Sequence, residues 1–455
     1  MPTIESSSNQ SEQINEFELS NQKTFLKRGH ALSYALLFLF TIVLYARPSE
    51  FYPSALTNSL ALIIGVMTLA AFIATQISLE GTLTTRPAEI NLALLFLLTG
   101  ALSIPLAINP FTAWNNFSGV FIRCLVIFIV IVNVVRTEAR FKGLLLVALV
   151  TAIWLSLGAI DDYRLGLTTV EGYRVRGRGD AIFGNPNDMA LYLVSIVPIT
   201  LALGLSARTL IRKAIYFASA ILIVAAIMLT YSRAGFLGLI VALAFFAWRA
   251  APRRKVQILL ASCFMAAILL MIFPSYAVRL ASIFFPSLDP VGSSDARRGE
   301  LFRSLYIAIR HPLFGIGMGN YASEISYIGK VTHNSYTQVA AEMGVAALVF
   351  YTSFIVAPLK KLGQIARETF AARADSHFHY LAIGLQAALL AYMVSSFFAS
   401  VAYQWYVYYL VGYAVCLRRI YESETGKVVI VEKHRAKEAS PASISSVIQS
   451  GAATT

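Results

Sequence analysis

The 455-residue chain predicts an all-α fold: a polytopic transmembrane bundle of about 12 spans with a long outward loop that contains short helices. Three observations carry this expectation. Hydrophobic residues make up 57% of the chain and charged residues 13%, with a mean hydropathy of +0.66, a balance foreign to soluble domains. Apolar runs recur along the whole length, and a hydrocarbon layer of about 30 Å takes roughly 20 such residues per helix. Lys and Arg gather in alternate connections between the runs, as the positive-inside rule requires.

The first residues, 1–29, are rich in Ser, Asn, Gln and Glu, the composition of a disordered tail. No cleavable signal pattern stands before the first apolar run, which is therefore expected as a retained span. Spans are expected at about 31–46, 54–76, 88–108, 117–135, 141–160, 187–207, 214–231, 234–250, 256–276, 336–358, 379–400 and 404–418. With the N-terminus inside, the inward connections hold Arg86; Arg136, Arg140 and Lys142; Arg208, Arg212 and Lys213; and Arg249, Arg253, Arg254 and Lys255. Lys360, Lys361, Arg367 and Arg373 follow, then Arg418 and Arg419, whereas short outward turns hold only Arg47 and Arg233. Twelve crossings put both ends on the cytoplasmic side. The membrane domain thus covers 30–419, and a Ser/Ala-rich tail, expected disordered, covers 420–455.

Two longer segments then lie outside, 161–186 and 277–335. In the second, "RRGELFRSLYIAIRHPLFGIG" carries Leu301, Phe302, Leu305, Ile309 and Leu313 at helical spacing, ahead of Pro312 as a limit. A short amphipathic helix at the outer membrane surface is expected there. "GIGMGN" (315–320) imitates a nucleotide fingerprint but follows no strand and would face outward, so it reads as a turn. Cys124, Cys263 and Cys416 lie far apart inside apolar runs and suggest neither a disulfide framework nor a metal site. The net charge of +13 forms no basic stripe interleaved with aromatics, which argues against nucleic acid as a partner.

The residues able to do chemistry lie on the outward side. His333, in "VTHNSYTQVAAEMG", stands where the long loop enters a span; it is either an interfacial capping residue or a general base, since its ordinary pKa near 6.5 suits proton removal. Asn334 follows it directly. Glu342 lies nine residues on and would face the opposite way on a continuous helix, so it is expected to pair inside the bundle. Arg233, in "TYSRAGFLG", is either a snorkelling turn residue or a cation for phosphate oxygens, which a guanidinium grips with two N–H groups. Arg298 opens the amphipathic helix and competes with Arg297, Arg303 and Arg310 for the role of second clamp. Arg174, Arg176 and Arg178 crowd into "YRVRGRGD" just before "FGNPNDMALYL", in which Asn185 or Asn187 caps the next helix. Arg123 sits a few residues inside the fourth span, where an ionisable residue either serves a site or snorkels to the surface. Together these point to an anionic lipid head group, such as a diphosphate, with no metal and no cofactor.

"FGNPNDMALYL", "YSRAG", "RGELFRSLYIAIRHPLFGIGMGNY" and "THNSYTQVAAEMG", in this order around one long outer loop, resemble the O-antigen ligase and polymerase superfamily, bacterial membrane glycosyltransferases of the GT-C type. The motifs cover roughly 160–355. The family's Ser-Arg-Gly arginine matches Arg233, with Ala234 where Gly is common. Its loop arginine matches Arg298, with Leu301-Phe302 in place of Leu-Trp, and its His-Asn matches His333 and Asn334. The arginine before the Pro-Asn segment matches Arg174 or Arg176 in two registers.

The resemblance implies metal-independent, inverting transfer of a glycan from undecaprenyl diphosphate to an acceptor hydroxyl. His333 would serve the hydroxyl and Arg233 and Arg298 the diphosphate. It also implies the bacterial inner membrane, with 161–186 and 277–335 as periplasmic loops and the active site on that side. A ligase would use a lipid A core acceptor, a polymerase a second lipid-linked repeat, and some relatives a protein. A twelve-span transporter is the competing class, opposed by the absence of an inverted repeat and by ionisable residues placed at the outer face rather than the midplane.

Overall fold

A computed structural model describes residues 29–168, 170–177, 182–251, 255–272, 274–282, 285–288, 293–326, 329–373 and 376–426. The tails at 1–28 and 427–455, and Arg178, Arg253 and Arg254, lie outside the described residues. The described residues form helices, with no strand and one isolated bridge between Val170 and Arg174. In chain order the helices are α1 (Ala31–Ala46), α2 (Pro48–Phe51), α3 (Ala55–Glu80), α4 (Ala88–Ser103), α5 (Pro110–Asn116), α6 (Ile122–Val134) and α7 (Glu138–Arg164). Then come α8 (Pro186–Ser206), α9 (Leu210–Leu229), α10 (Arg233–Ala250), α11 (Lys255–Ile272), α12 (Pro274–Ala281) and α13 (Ser293–Arg310). Last are α14 (Ser335–Met343), α15 (Val345–Glu368), α16 (His377–Ser396) and α17 (Trp405–Thr425).

Among the described residues, nine helical segments are long and apolar enough to cross a membrane, with α4 a shorter apolar helix. Every expected run falls on a helix, but the boundaries move for local reasons. The run expected at 117–135 extends back to Pro110 through a π-helical turn at Phe117–Phe121, with Asn109 as N-cap accepting from Thr112 N. The last helix continues to Thr425 instead of ending near 418.

The run expected at 336–358 is two helices. They break at Gly344, whose φ of 88° requires glycine and whose added Cβ would stand 2.3 Å from Leu313 O. "GIGMGN" fills this break as a turn. Ile316 N donates to Ala341 O (3.0 Å), Gly317 N to Glu342 O (2.9 Å) and Val345 N to Pro312 O (2.8 Å). The loop is thereby tied to the bundle at the point where it has the most freedom to lose.

α8 and α16 lie at the centre, buried on nearly all sides, as their unbroken apolar sequences demand. Small residues let the backbones approach: a Cβ on Gly384 of α16 would meet Pro198 O of α8 at 2.8 Å. α10 packs on α16 in the same way, with Ser395 Oγ donating to Ala234 O at 3.1 Å. Arg233 and Ser395 thus sit at one end of this helix pair. Arg249 and His379 sit at the other, roughly 24 Å away at 1.5 Å per residue.

At that second end a buried carboxylate, Glu89 of α4, receives Arg418 of α17 through two hydrogen bonds (2.9 and 3.1 Å) and Lys361 of α15 (3.0 Å). Arg136 likewise meets Glu80 at 2.6 Å. Several of the basic residues between apolar runs are therefore structural ties.

Candidate functional site

The turn between α9 and α10 builds one wall. Ser232 caps α10, its hydroxyl accepting from Gly235 N, and this places buried Arg233 at the first helical position. Arg233 Nη1 donates to Ser282 Oγ (2.8 Å) beyond α12. A cation at a helix N-terminus stands against the positive end of the dipole, so both favour an anion in front of them.

Beneath it, α12 is fixed by Tyr276, which stacks on Tyr231 at 5.2 Å and donates to Ile227 O at 3.1 Å. The segment 170–177 docks on the same turn. Arg174 Nε donates to Thr230 O (2.9 Å) and Nη2 to Asn187 Oδ1 (2.9 Å), an oxygen that also accepts from Ser232 Oγ. Of the two expected caps Asn185 is the one used, accepting from Asn187 N, while Asn187 orients Arg174.

Glu171 joins this group from a left-handed φ of 52°. Its carboxylate accepts from Arg174 at 3.2 Å and from Arg279 at 2.6 Å. Burial pushes Glu171 up, but Arg174 and Arg279 outweigh it and hold the carboxyl below its usual range. Arg279 also lies over the Tyr173 ring, 5.5 Å from its centroid.

The third wall is α13. Buried Glu300 anchors it, accepting from Tyr321 OH at 2.6 Å, so Arg297, Arg298 and Leu301 face inward. Of the expected stripe, Phe302, Leu305 and Ile309 are exposed on its other face together with Tyr306, and Leu313 is exposed just past its end, whereas Leu301 turns to the cavity. The helix ends at Arg310, ahead of Pro312.

The fourth wall is "THNS", stitched to the turn after α16. Thr332 Oγ1 and Ser400 Oγ are 2.9 Å apart, Ser335 Oγ donates to Ala399 O (2.7 Å), and Val401 N donates to Ser335 Oγ (2.9 Å). His333 lies just before α14, not on it, so helical periodicity does not govern it; its φ is 53°. A non-glycine residue held there costs on the order of 1–3 kcal/mol, and such strain gathers at functional sites. No hydrogen bond to either imidazole nitrogen is made among the described residues.

Arg233, Arg297, Arg298, His333 and Asn334 converge on one cavity of about 250 Å³, closed on its apolar side by Leu301, Phe397 and Phe398. Its charges act on one another. Burial first, then Arg233, Arg174 and Arg279, push Arg297 down to about 10. Burial first, then Arg297 and Lys330, push His333 down to about 4. The cavity therefore holds a neutral imidazole among guanidiniums, with Glu171 as the carboxylate that offsets them.

Several expected site residues take other places. Asn334 Oδ1 is committed to capping α14 through Tyr336 N (2.9 Å) and Thr337 N (3.0 Å), and its buried Nδ2 makes no bond among the described residues. Arg174 is buried behind Arg233 rather than on the cavity surface, and Arg176 does not line the cavity either. Arg123 is exposed on α6 and does not line this cavity. Glu342 is buried but forms no ion pair with a base, lying instead beside the backbone N–H groups of Gly319 and Tyr321 and the side chains of Tyr403 and Gln338.

Arg297 was one of three competitors for the place given to Arg298, and both face the cavity. Arg279, Glu171 and the Phe397–Phe398 turn were not singled out. Their only signal was position: a base and an acid in outward loops, and an aromatic pair closing a span.

Residues 218–352 match the Wzy_C family model, described as O-antigen ligase. No curated protein matches the chain. The match spans Arg233, Arg279, Arg297, Arg298, His333 and Asn334, and it supports the resemblance to the O-antigen ligase and polymerase superfamily.

Proposed function

We propose that the chain transfers a glycan from undecaprenyl diphosphate to an acceptor hydroxyl in the manner of an O-antigen ligase. The observation that carries this reading is the convergence of three guanidiniums and one neutral imidazole on a single cavity with an apolar flank. The supporting context is the family match over the same residues and the multi-pass helical bundle. The finer topology belongs to the proposal: twelve crossings, both termini cytoplasmic, and the cavity on the periplasmic side of a bacterial inner membrane.

Arg233, Arg297 and Arg298 hold the donor's diphosphate, while Leu301, Phe397 and Phe398 face its lipid-proximal side. The acceptor oxygen attacks the anomeric carbon opposite the diphosphate, so the new C–O bond forms with inverted configuration. The old bond to the diphosphate oxygen breaks, and its electron pair leaves as added negative charge on the diphosphate. The guanidiniums stabilise that charge, a role a metal ion fills elsewhere. His333 accepts the hydroxyl proton.

Donor binding also prepares the base. An imidazole pushed down to about 4 is a weak proton acceptor, but a diphosphate beside Arg297 offsets one cause of that depression. His333 then moves back toward its ordinary 6.5, where base catalysis is efficient. Basicity is thereby greatest when donor is present.

The test is complementation of cells lacking the gene with His333→Ala, Arg233→Ala, Arg298→Ala and Arg297→Ala, at matched membrane levels. The expected result is loss of mature surface polysaccharide with accumulation of its lipid-linked precursor. Accumulated full-length chains would support a ligase with a lipid A core acceptor; accumulated single repeats would support the polymerase alternative. Normal polysaccharide from all four variants would overturn the glycosyltransferase reading.

A further inference from the structure

At the end of the bundle opposite His333, the C-terminal ends of α10 and α15 and the start of α16 enclose a second cavity of about 300 Å³. Arg249, Arg367 and His379 line it, flanked by the rings of Trp248 and Phe370. Arg249 Nη2 reaches Gly363 O at 3.4 Å, but its buried Nε has no partner among the described residues, and Arg367 makes no side-chain hydrogen bond or ion pair there. His379 is 98% buried; Nδ1 lies 3.4 Å from Thr369 Oγ1, and Nε2 is left without a hydrogen-bond partner. The adjoining acid, Glu368, is committed elsewhere, accepting from Gln364 (2.9 Å) and from Tyr421 OH (2.7 Å).

Among the described residues, Arg249 and Arg367 face one cavity that no carboxylate lines, which makes it an incomplete electrostatic unit. The C-terminal ends of α10 and α15 contribute about −0.5 charge each and the start of α16 about +0.5, which leaves at least one positive charge to be met. Trp248 and Phe370 are 41 and 37% exposed at the level where membrane helices end, the depth at which aromatic rings meet head groups. Donors in a cavity, aromatic flanks and an excess of one positive charge together describe a phosphodiester whose acyl chains lie in the membrane.

We propose that this cavity binds the phosphate of an anionic phospholipid from the leaflet opposite the candidate active site. Arg249 and Arg367 grip the non-bridging oxygens, and the His379 Nε2 position supplies a further polar contact. The site is formed by the ends of α10 and α16, the two helices that reach Arg233 and the Phe397–Phe398 turn at their other ends. It does not depend on the glycosyl-transfer reading.

The test uses the full chain in phosphatidylcholine nanodiscs containing increasing phosphatidylglycerol, with thermal unfolding as readout. Phosphatidylglycerol is expected to raise Tm with saturation. The half-saturating fraction should rise about fivefold in Arg367→Gln, the worth of one arginine near an anionic surface, and further in Arg249→Gln/Arg367→Gln. Arg367 is exposed, so its single replacement leaves the fold intact. Arg212→Gln, exposed at the same end but outside this cavity, should titrate like the unaltered protein. Three results would overturn the proposal: Arg367→Gln titrating like the unaltered protein, Arg212→Gln weakening the response as much, or inorganic phosphate in pure phosphatidylcholine giving the same rise. The last would assign the cavity to a soluble anion.

Discussion

Glu171 and Arg279 come from segments 108 residues apart in the chain and meet at 2.6 Å, with Arg174 sharing the same carboxylate at 3.2 Å. This contact ties the 170–177 segment to α12, and it puts one negative charge behind the guanidiniums that, after burial, push Arg297 down to about 10. Glu171 is thus the internal counter-charge of the site.

Replacing it with Gln tests that role. Glu171→Gln removes a charge that competes with bound anion, so inorganic diphosphate should bind about five- to tenfold more tightly, roughly 1–1.4 kcal/mol. Calorimetric titration in detergent reads this without any glycan transfer. Tm should fall at the same time, because Arg174 and Arg279 each lose a partner. Weaker diphosphate binding would mean that Glu171 acts by positioning Arg279 and not by competing with the ligand.

His333 carries a pH signature. Its folded pKa, about 4, lies below the ordinary 6.5, so on acidification the unfolded chain takes up the proton first. His333 therefore makes stability fall as pH drops from about 6.5 to about 4, and His333→Gln should flatten that part of the Tm–pH curve. As general base it must be neutral, so the acid limb of kcat/KM, which reports the free enzyme, should lie near 4 and not 6.5. The limb of kcat, which reports the donor complex, should lie higher. His333→Gln should lower kcat by about 10²–10⁴. An unchanged kcat with an altered stability profile would leave His333 a structural residue.

Much of this was legible in the chain, and what was not has physical causes. The helices follow from apolar run length, and α13 from Leu301, Phe302, Leu305, Ile309 and Leu313, because both signals are local. The break at Gly344 was hidden because a single glycine inside a mainly apolar run gives no local signal of its own; what forces it is the distant turn Gly315–Gly317 hydrogen-bonding into it. His333, Arg233 and Arg298 stood out as isolated ionisable residues in marked motifs. Arg297 and Arg298 are neighbours on a helix, roughly 100° apart, so spacing alone could not choose between them, and the cavity takes both. Asn334 is singled out by the His-Asn match, and its place before an apolar run also signals a cap; its Oδ1 serves the cap while the residue lines the cavity.

Arg297 and Arg298 should separate in one measurement. Arg297 is half-buried and lowers the His333 pKa, whereas Arg298 is exposed and is not among the causes of that shift. Arg297→Gln should move the acid limb of kcat/KM upward from about 4, but short of 6.5, because burial is the larger cause and remains. Arg298→Gln should leave the limb in place. Each should cost about 10²-fold or more in kcat through lost stabilisation of the leaving diphosphate. Equal pH profiles for the two would show that Arg297 does not act on His333.

At the opposite end, Glu89 is fully buried between Arg418 and Lys361 and ties α4 to α17 and α15. A carboxylate taken out of water recovers its desolvation cost only while its partners stay in place, so the value of the contact shows most when one partner is removed. Glu89→Gln leaves Arg418, itself 5% exposed, with only Glu422 at 3.8 Å as a counter-charge and should cost about 3 kcal/mol. Lys361 is less enclosed, with 18% of its side chain exposed, and can turn its amine to water. Replacing Glu89 and Arg418 together by Leu and Met should therefore recover most of the loss, since neither charge then remains in the interior. Thermal unfolding of the single variants and the double variant in one detergent completes the cycle. If Glu89→Gln unfolds at the same temperature as the unaltered protein, water reaches this end of the bundle and the triad is not the tie that its geometry indicates.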